Sequence, residues 1–97
     1  LDMARGWILA GQKQKAAEYV GKVWKTASQY LSYYLSLDAN RFAQAQNDCI
    51  RQIMIMQSTC EVASMVDQKT AKKYEDQLNK LYTLYHGRGG QMPNAGN

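Results

Sequence analysis

The chain has 97 residues, 45% of them apolar and 10% aromatic, with a net charge of +4. A single domain of that length buries roughly 60–65% of its unfolded surface without metals or disulfides, and the apolar content excludes a disordered chain. The charge is too dilute for a dedicated nucleic-acid tail. It is also uneven: residues 1–37 and 68–97 each carry net +3, and residues 38–67 carry net −2. Helices packed with complementary outer faces would give this pattern, as would ordinary solvated helix faces.

Residues 1–11 set Ala4, Gly6 and Gly11 around Trp7, Ile8 and Leu9. They read as a flexible arm or one short helical turn. Trp7 either folds back to cap the core or serves as an anchor on a neighbouring subunit or partner, because exposed aromatics are costly unless used. The apolar run Trp7–Ala10 is far short of the ~20 residues that cross a bilayer. The chain begins at Leu1, so the sequence is silent on a leader.

The first long helix is predicted from Gln12 to Leu35. Ala16, Val20, Val23, Ala27, Tyr30, Tyr34 and Leu37 alternate four and three residues apart, an a/d seam. Trp24 and Leu31 widen it. Gly21 costs such a helix about 1 kcal/mol relative to alanine, a cost offset if it permits a close helix crossing. A break is expected near Ser36–Asp38, with Asp38 as N-cap and Leu37 and Phe42 spaced as a hydrophobic staple.

From Leu37 to His86 there is no glycine or proline, and apolar residues recur at helical spacing throughout. The second helix is predicted from Ala39 to Val66, with Phe42, Ala45, Cys49, Ile53, Met56, Cys60 and Ala63 as its main stripe. The run Ile53–Met56 is apolar all round, so it must be surrounded, and a chain this short needs help from another subunit to do so. The third helix is predicted from Lys69 to His86 on Ala71, Tyr74, Leu78, Leu81 and Tyr85, with Gly87 at its C′ position. Asp67 falls roughly on the apolar seam, where a buried unpaired carboxylate is costly; its natural place is a corner. The expected fold is therefore all-α: one domain over 12–86 built as a small bundle of three helices, with the arm 1–11 and a disordered Gly-rich tail 87–97. A long two-helix hairpin is the alternative.

Cys49 and Cys60 are eleven residues apart. On one helix that is about 16 Å, too far for a disulfide, whose Cα atoms lie about 4.4–6.8 Å apart. Both sit in the apolar stripe and read as reduced and buried, which leans towards a reducing, cytoplasmic compartment; bonds to another chain are the alternative.

Little chemistry remains for catalysis. The single histidine, His86, lies at a helix end where capping explains it, and no serine or cysteine has a nucleophile-elbow context. The carboxylates form no ExxH pattern of a di-iron site, and the cysteines have no metal-ligand spacing. No enzyme, metal or cofactor is expected. Two partner classes are. The first is protein: a helix-packing module that is a homo-oligomer or binds a dedicated partner through the surplus apolar face of the second helix, at Ile50, Met54 and Ile55, with Trp7 as anchor. Methionines in that helix provide adaptable packing. The alternative is nucleic acid, contacted by Lys22, Lys25, Lys72 and Lys73 with tyrosines stacking on bases, and with Arg88-Gly89-Gly90 as one unit of an RGG segment. A membrane surface fits less well, because the basic first helix is rich in tyrosine and alanine rather than leucine and phenylalanine.

Overall fold

The structure, a computed structural model, describes residues 1–92. The chain is all-helical over those residues, but it forms five helices rather than three: α1 (Asp2–Leu9), α2 (Lys13–Leu35), α3 (Ala39–Gln44), α4 (Gln46–Ser64) and α5 (Gln68–Gly87).

Two local events account for the extra helices. The expected arm folds as α1, burying Ala4 and half-burying Leu1, Trp7 and Ile8 against α2 and the end of α4. Gly11, at φ +79°, then turns the chain into α2; L side chains avoid this left-handed region, and glycine does not. The second event is a break at Ala45, where the backbone relaxes to φ −96°, ψ 8°. Its amide is shared between the carbonyls of Arg41 and Phe42, both at 3.0 Å. The break accompanies the seating of Phe42, which packs edge-on against Tyr85 at 5.9 Å.

The carboxylate caps lie where local chemistry predicts them. Asp38 accepts from the Arg41 amide at 2.9 Å. Asp67 accepts from the Lys69 amide at 3.2 Å and from the Thr70 hydroxyl at 2.7 Å. The Thr70 hydrogen bond, then the Lys69 amide, hold the Asp67 carboxyl below its ordinary value. A real corner at Asp67 removes the two-helix hairpin.

The long helices α2, α4 and α5 pack on one another. α2 and α5 run parallel in a fixed register. The Trp24 indole N–H donates to Gln77 Oε1 at 2.9 Å, and Arg88 Nη1 donates to the Leu35 carbonyl at 2.7 Å, each pair 53 residues apart. Trp24 also stacks on Tyr74, with ring centroids 4.3 Å apart and planes within 12°. α4 returns antiparallel to both. The stripe predicted for the second helix is buried at Phe42 on α3, at Ala45, and at Cys49, Ile53, Met56 and Ala63 on α4, but Cys60, expected to be buried with them, is only half-buried.

The face of α2 differs from the predicted seam. Its buried residues are Ala16, Val20, Trp24, Ala27 and Leu31. Val23 and Tyr34 are only half-buried, and Tyr30 is exposed. The stack on Tyr74 and the hydrogen bond to Gln77 turn Trp24 inward, and the rest of the helix turns with it.

The C-terminal end of α5 is closed by the residues that read as an RGG unit. Arg88 places its guanidinium carbon 4.4 Å from the centre of the Phe42 ring while capping a free carbonyl of α2. Gly89 takes φ +89°, and the buried Gly90 lies against the Tyr85 ring, its amide bonded to the Tyr85 carbonyl at 2.9 Å. Tyr85 Oη donates to the Gln91 carbonyl at 2.8 Å. Of the tail expected to be disordered, residues 88–92 fold against this helix end, and 93–97 lie outside the described residues.

Two glycines have opposite sensitivities. A Cβ on Gly21 meets only Tyr74 Oη, at 3.7 Å, so no close crossing requires this glycine. Gly21→Ala should stabilise the fold by about 1 kcal/mol and raise Tm by about 4–8 °C, read by thermal denaturation. A Cβ on Gly90 runs into the fully buried Tyr85 ring. Gly90→Ala should destabilise by about 1–3 kcal/mol through overpacking in the same assay.

Candidate functional site

Rotating α2 to bury Trp24 leaves a second stripe of that helix outside. Tyr19, Val23, Thr26, Tyr30 and Tyr33 are again spaced four, three, four and three residues apart, the a/d repeat of a helix seam. They line three adjoining hollows of about 710, 280 and 450 Å³, the first two along the outer side of the α2–α4 contact and the third lined by α2 residues alone. The first two share Val23 and Ile55, and the last two share Thr26. Together they make one open groove, about 21 Å long from the Tyr19 level to the Tyr33 level at 1.5 Å per residue.

The α4 side of the groove holds the residues singled out in the predicted second helix. Ile50, Met54 and Ile55 all line its largest hollow. Ile50 and Ile55 also pack on the core, whereas Met54 is 56% exposed. Tyr30 and Tyr33 are 52% and 58% exposed, and both lie against the half-buried Tyr34 ring, at 6.3 and 5.6 Å between centroids. Trp7 is not in the groove. It packs in the second core cluster, edge-on to Tyr19 at 5.6 Å, and so braces a groove residue from behind.

The four candidate lysines lie on two helices, Lys22 and Lys25 on α2 and Lys72 and Lys73 on α5. Lys22 lines the middle hollow. Lys72 is tied to Asp76 on its own helix at 3.4 Å. Lys25 and Lys73 are exposed, with no carboxylate in salt-bridge range among the described residues.

Elsewhere, the described residues contain no group of three or more His, Cys, Asp or Glu able to hold a metal, and no buried side-chain polar atom without a partner. His86 Nδ1 lies 3.1 Å from the Gly90 carbonyl, in a helix-end contact. Among the described residues no helix is long and apolar enough to cross a membrane. Comparison with protein-family models, with characterised proteins and with solved structures finds no match.

In the sequence Tyr19 and Tyr33 stand out only as base-stacking tyrosines of the nucleic-acid alternative, and Thr26 not at all. Their signal is the second four–three repeat, which shares Val23 and Tyr30 with the predicted core seam.

Both cysteines are free. Burial, then the Asp48 charge, raises the Cys49 thiol. Burial, then Glu75 and Glu61, pushes Cys60 up to about 11. The thiolate is the nucleophile, so at pH 8 native Cys60 should alkylate about 100-fold more slowly than an unperturbed cysteine. Unfolding in urea should restore ordinary rates at both sites, as timed iodoacetamide labelling and mass spectrometry will show.

Proposed function

We propose that this protein is a non-catalytic helix-packing module that associates with another protein helix, its own or a partner's, along the α2–α4 groove. One observation carries this reading: α2 bears two stripes at helical spacing, one apolar and buried in the core and the other, heptad-spaced and mostly aromatic, lining an open groove beside the exposed Met54. Amphipathic helices bind such grooves through anchors at i, i+3, i+4 and i+7. Methionine suits the role, because its flexible, polarisable side chain adapts to a partner's surface.

A second reading places nucleic acid in the same groove. It rests on Lys22 and Arg51 beside three tyrosines. Bases need free aromatic faces to stack on, and Tyr30 and Tyr33 are already engaged with Tyr34. Val23, Ile50, Met54 and Ile55 would have no counterpart on a phosphate backbone. The protein reading uses all of these residues.

Met54→Asp tests the proposal. Because Met54 is exposed, this change should leave the circular dichroism spectrum intact and shift unfolding free energy by no more than about 0.5 kcal/mol. Binding of a fluorescent, leucine-seamed amphipathic peptide of 18 residues should be lost in fluorescence anisotropy. Peptide binding unaffected by Met54→Asp would remove this groove as the site.

A further inference from the structure

The charged groups bordering the groove specify its occupant. Among the residues lining the three hollows the only charged side chains are cations, Lys22 and Arg51. They stand on opposite walls, Lys22 on α2 and Arg51 on α4. Lys22 has no carboxylate in salt-bridge range among the described residues. Arg51 reaches only Asp48, at 3.8 Å and with both side chains exposed, a pairing too weak to hold the guanidinium from a better partner.

A helix seated in such a groove turns its apolar seam to the floor and its flanking positions to the two walls. In paired helices those flanking charges set partner choice. We infer that the groove receives an amphipathic helix of a different protein, about 14–15 residues long, with glutamate or aspartate on both flanks of its apolar seam. This inference rests on the helix-packing reading and adds the partner's chemistry. A second copy is the poorer occupant. A two-fold interface sets the same surface against itself, so a groove whose charged lining side chains are both cations would meet the same cations on the second copy, on a chain whose net charge is already +4.

The test uses the full chain and three labelled probes: the leucine-seamed peptide with glutamate at both flanks, its lysine-flanked counterpart, and a 20-nucleotide oligothymidylate. At low salt the glutamate peptide should bind at least tenfold tighter than the lysine peptide, and the gap should narrow in 0.5 M salt as screening shortens. The double variant K22E/R51E should reverse the preference. K25E/K73E, with the same change in net charge but away from the groove, should retain it; loss of preference in both double variants would mean steering by overall charge and would overturn the assignment.

Equal affinity for the two peptides would also overturn the acidic partner while leaving helix packing standing. So would a peptide-free dimer, seen by light scattering and dissociated by Met54→Asp, which would make a second copy the occupant. Tight oligothymidylate binding competing with the glutamate peptide would replace the helix with a nucleic acid. Failure of both peptides to bind a monomeric chain would remove the helix-packing reading itself.

Discussion

Everything distinctive about this molecule turns on the orientation of Trp24. A buried indole needs a partner for its N–H and a flat surface for its ring. Gln77 provides the first at 2.9 Å and Tyr74 the second at 4.3 Å. Both lie on α5, so α2 is held parallel to α5 and rotated to point Trp24 at it. That rotation carries Ala16, Val20, Ala27 and Leu31 into the core with Trp24. It also sends Tyr19, Thr26, Tyr30 and Tyr33 to the outer side, where they line the groove.

The rest of the architecture follows the register set by that contact. With α2 and α5 parallel, α4 must run back between their ends, and its continuous stripe from Cys49 to Ala63 packs against both. At one end of the bundle, small residues (Ala4, Ala16, Ala63 and Ala71) let α1 lie close over the other helices. At the opposite end, large ones (Leu31, Phe42 and Tyr85) fill the core beneath Arg88. The two ends are thus closed by different means, backbone proximity at one and a cation over an aromatic ring at the other.

Much of this was legible in the sequence wherever the controlling chemistry is local. Asp38 and Asp67 announce their helix starts because a capping carboxylate acts on amides only two or three residues away. The faces of α4 and α5 are legible because each has one dominant apolar stripe. Ile50, Met54 and Ile55 stand out as apolar residues in excess of one face, and they meet in the groove. What stayed hidden depends on distant partners. Val23 and Tyr30 compete with Trp24 and Leu31 for the inside of α2, and what decides between them is a glutamine 53 residues away. The break at Ala45 involves a residue with no turn chemistry of its own. α1 owes its place to small-residue packing that no periodicity in eleven residues reveals. Trp7 reads equally as anchor or cap until Tyr19 is beside it. Arg88 belongs to a triplet whose resemblance to a nucleic-acid segment conceals a helix-end clasp.

The parallel pairing of α2 with α5 also governs how the chain acquires its structure during synthesis. Each hydrogen bond between these helices closes a loop of 53 residues, and loops of that length close at an entropic cost that nearer contacts avoid. Adjacent antiparallel elements assemble from nearby sequence, so α2 and α4 can meet first. While only that pair exists, both stripes of α2 are uncovered on their α5 side and in the groove. The ribosome must deliver Tyr74, Gln77 and finally Arg88 before Trp24 and the open end of α2 are sealed. The nascent chain therefore stays adhesive until α5 and Arg88 have emerged, and the interval before that is when it most needs a chaperone or its own partner close by.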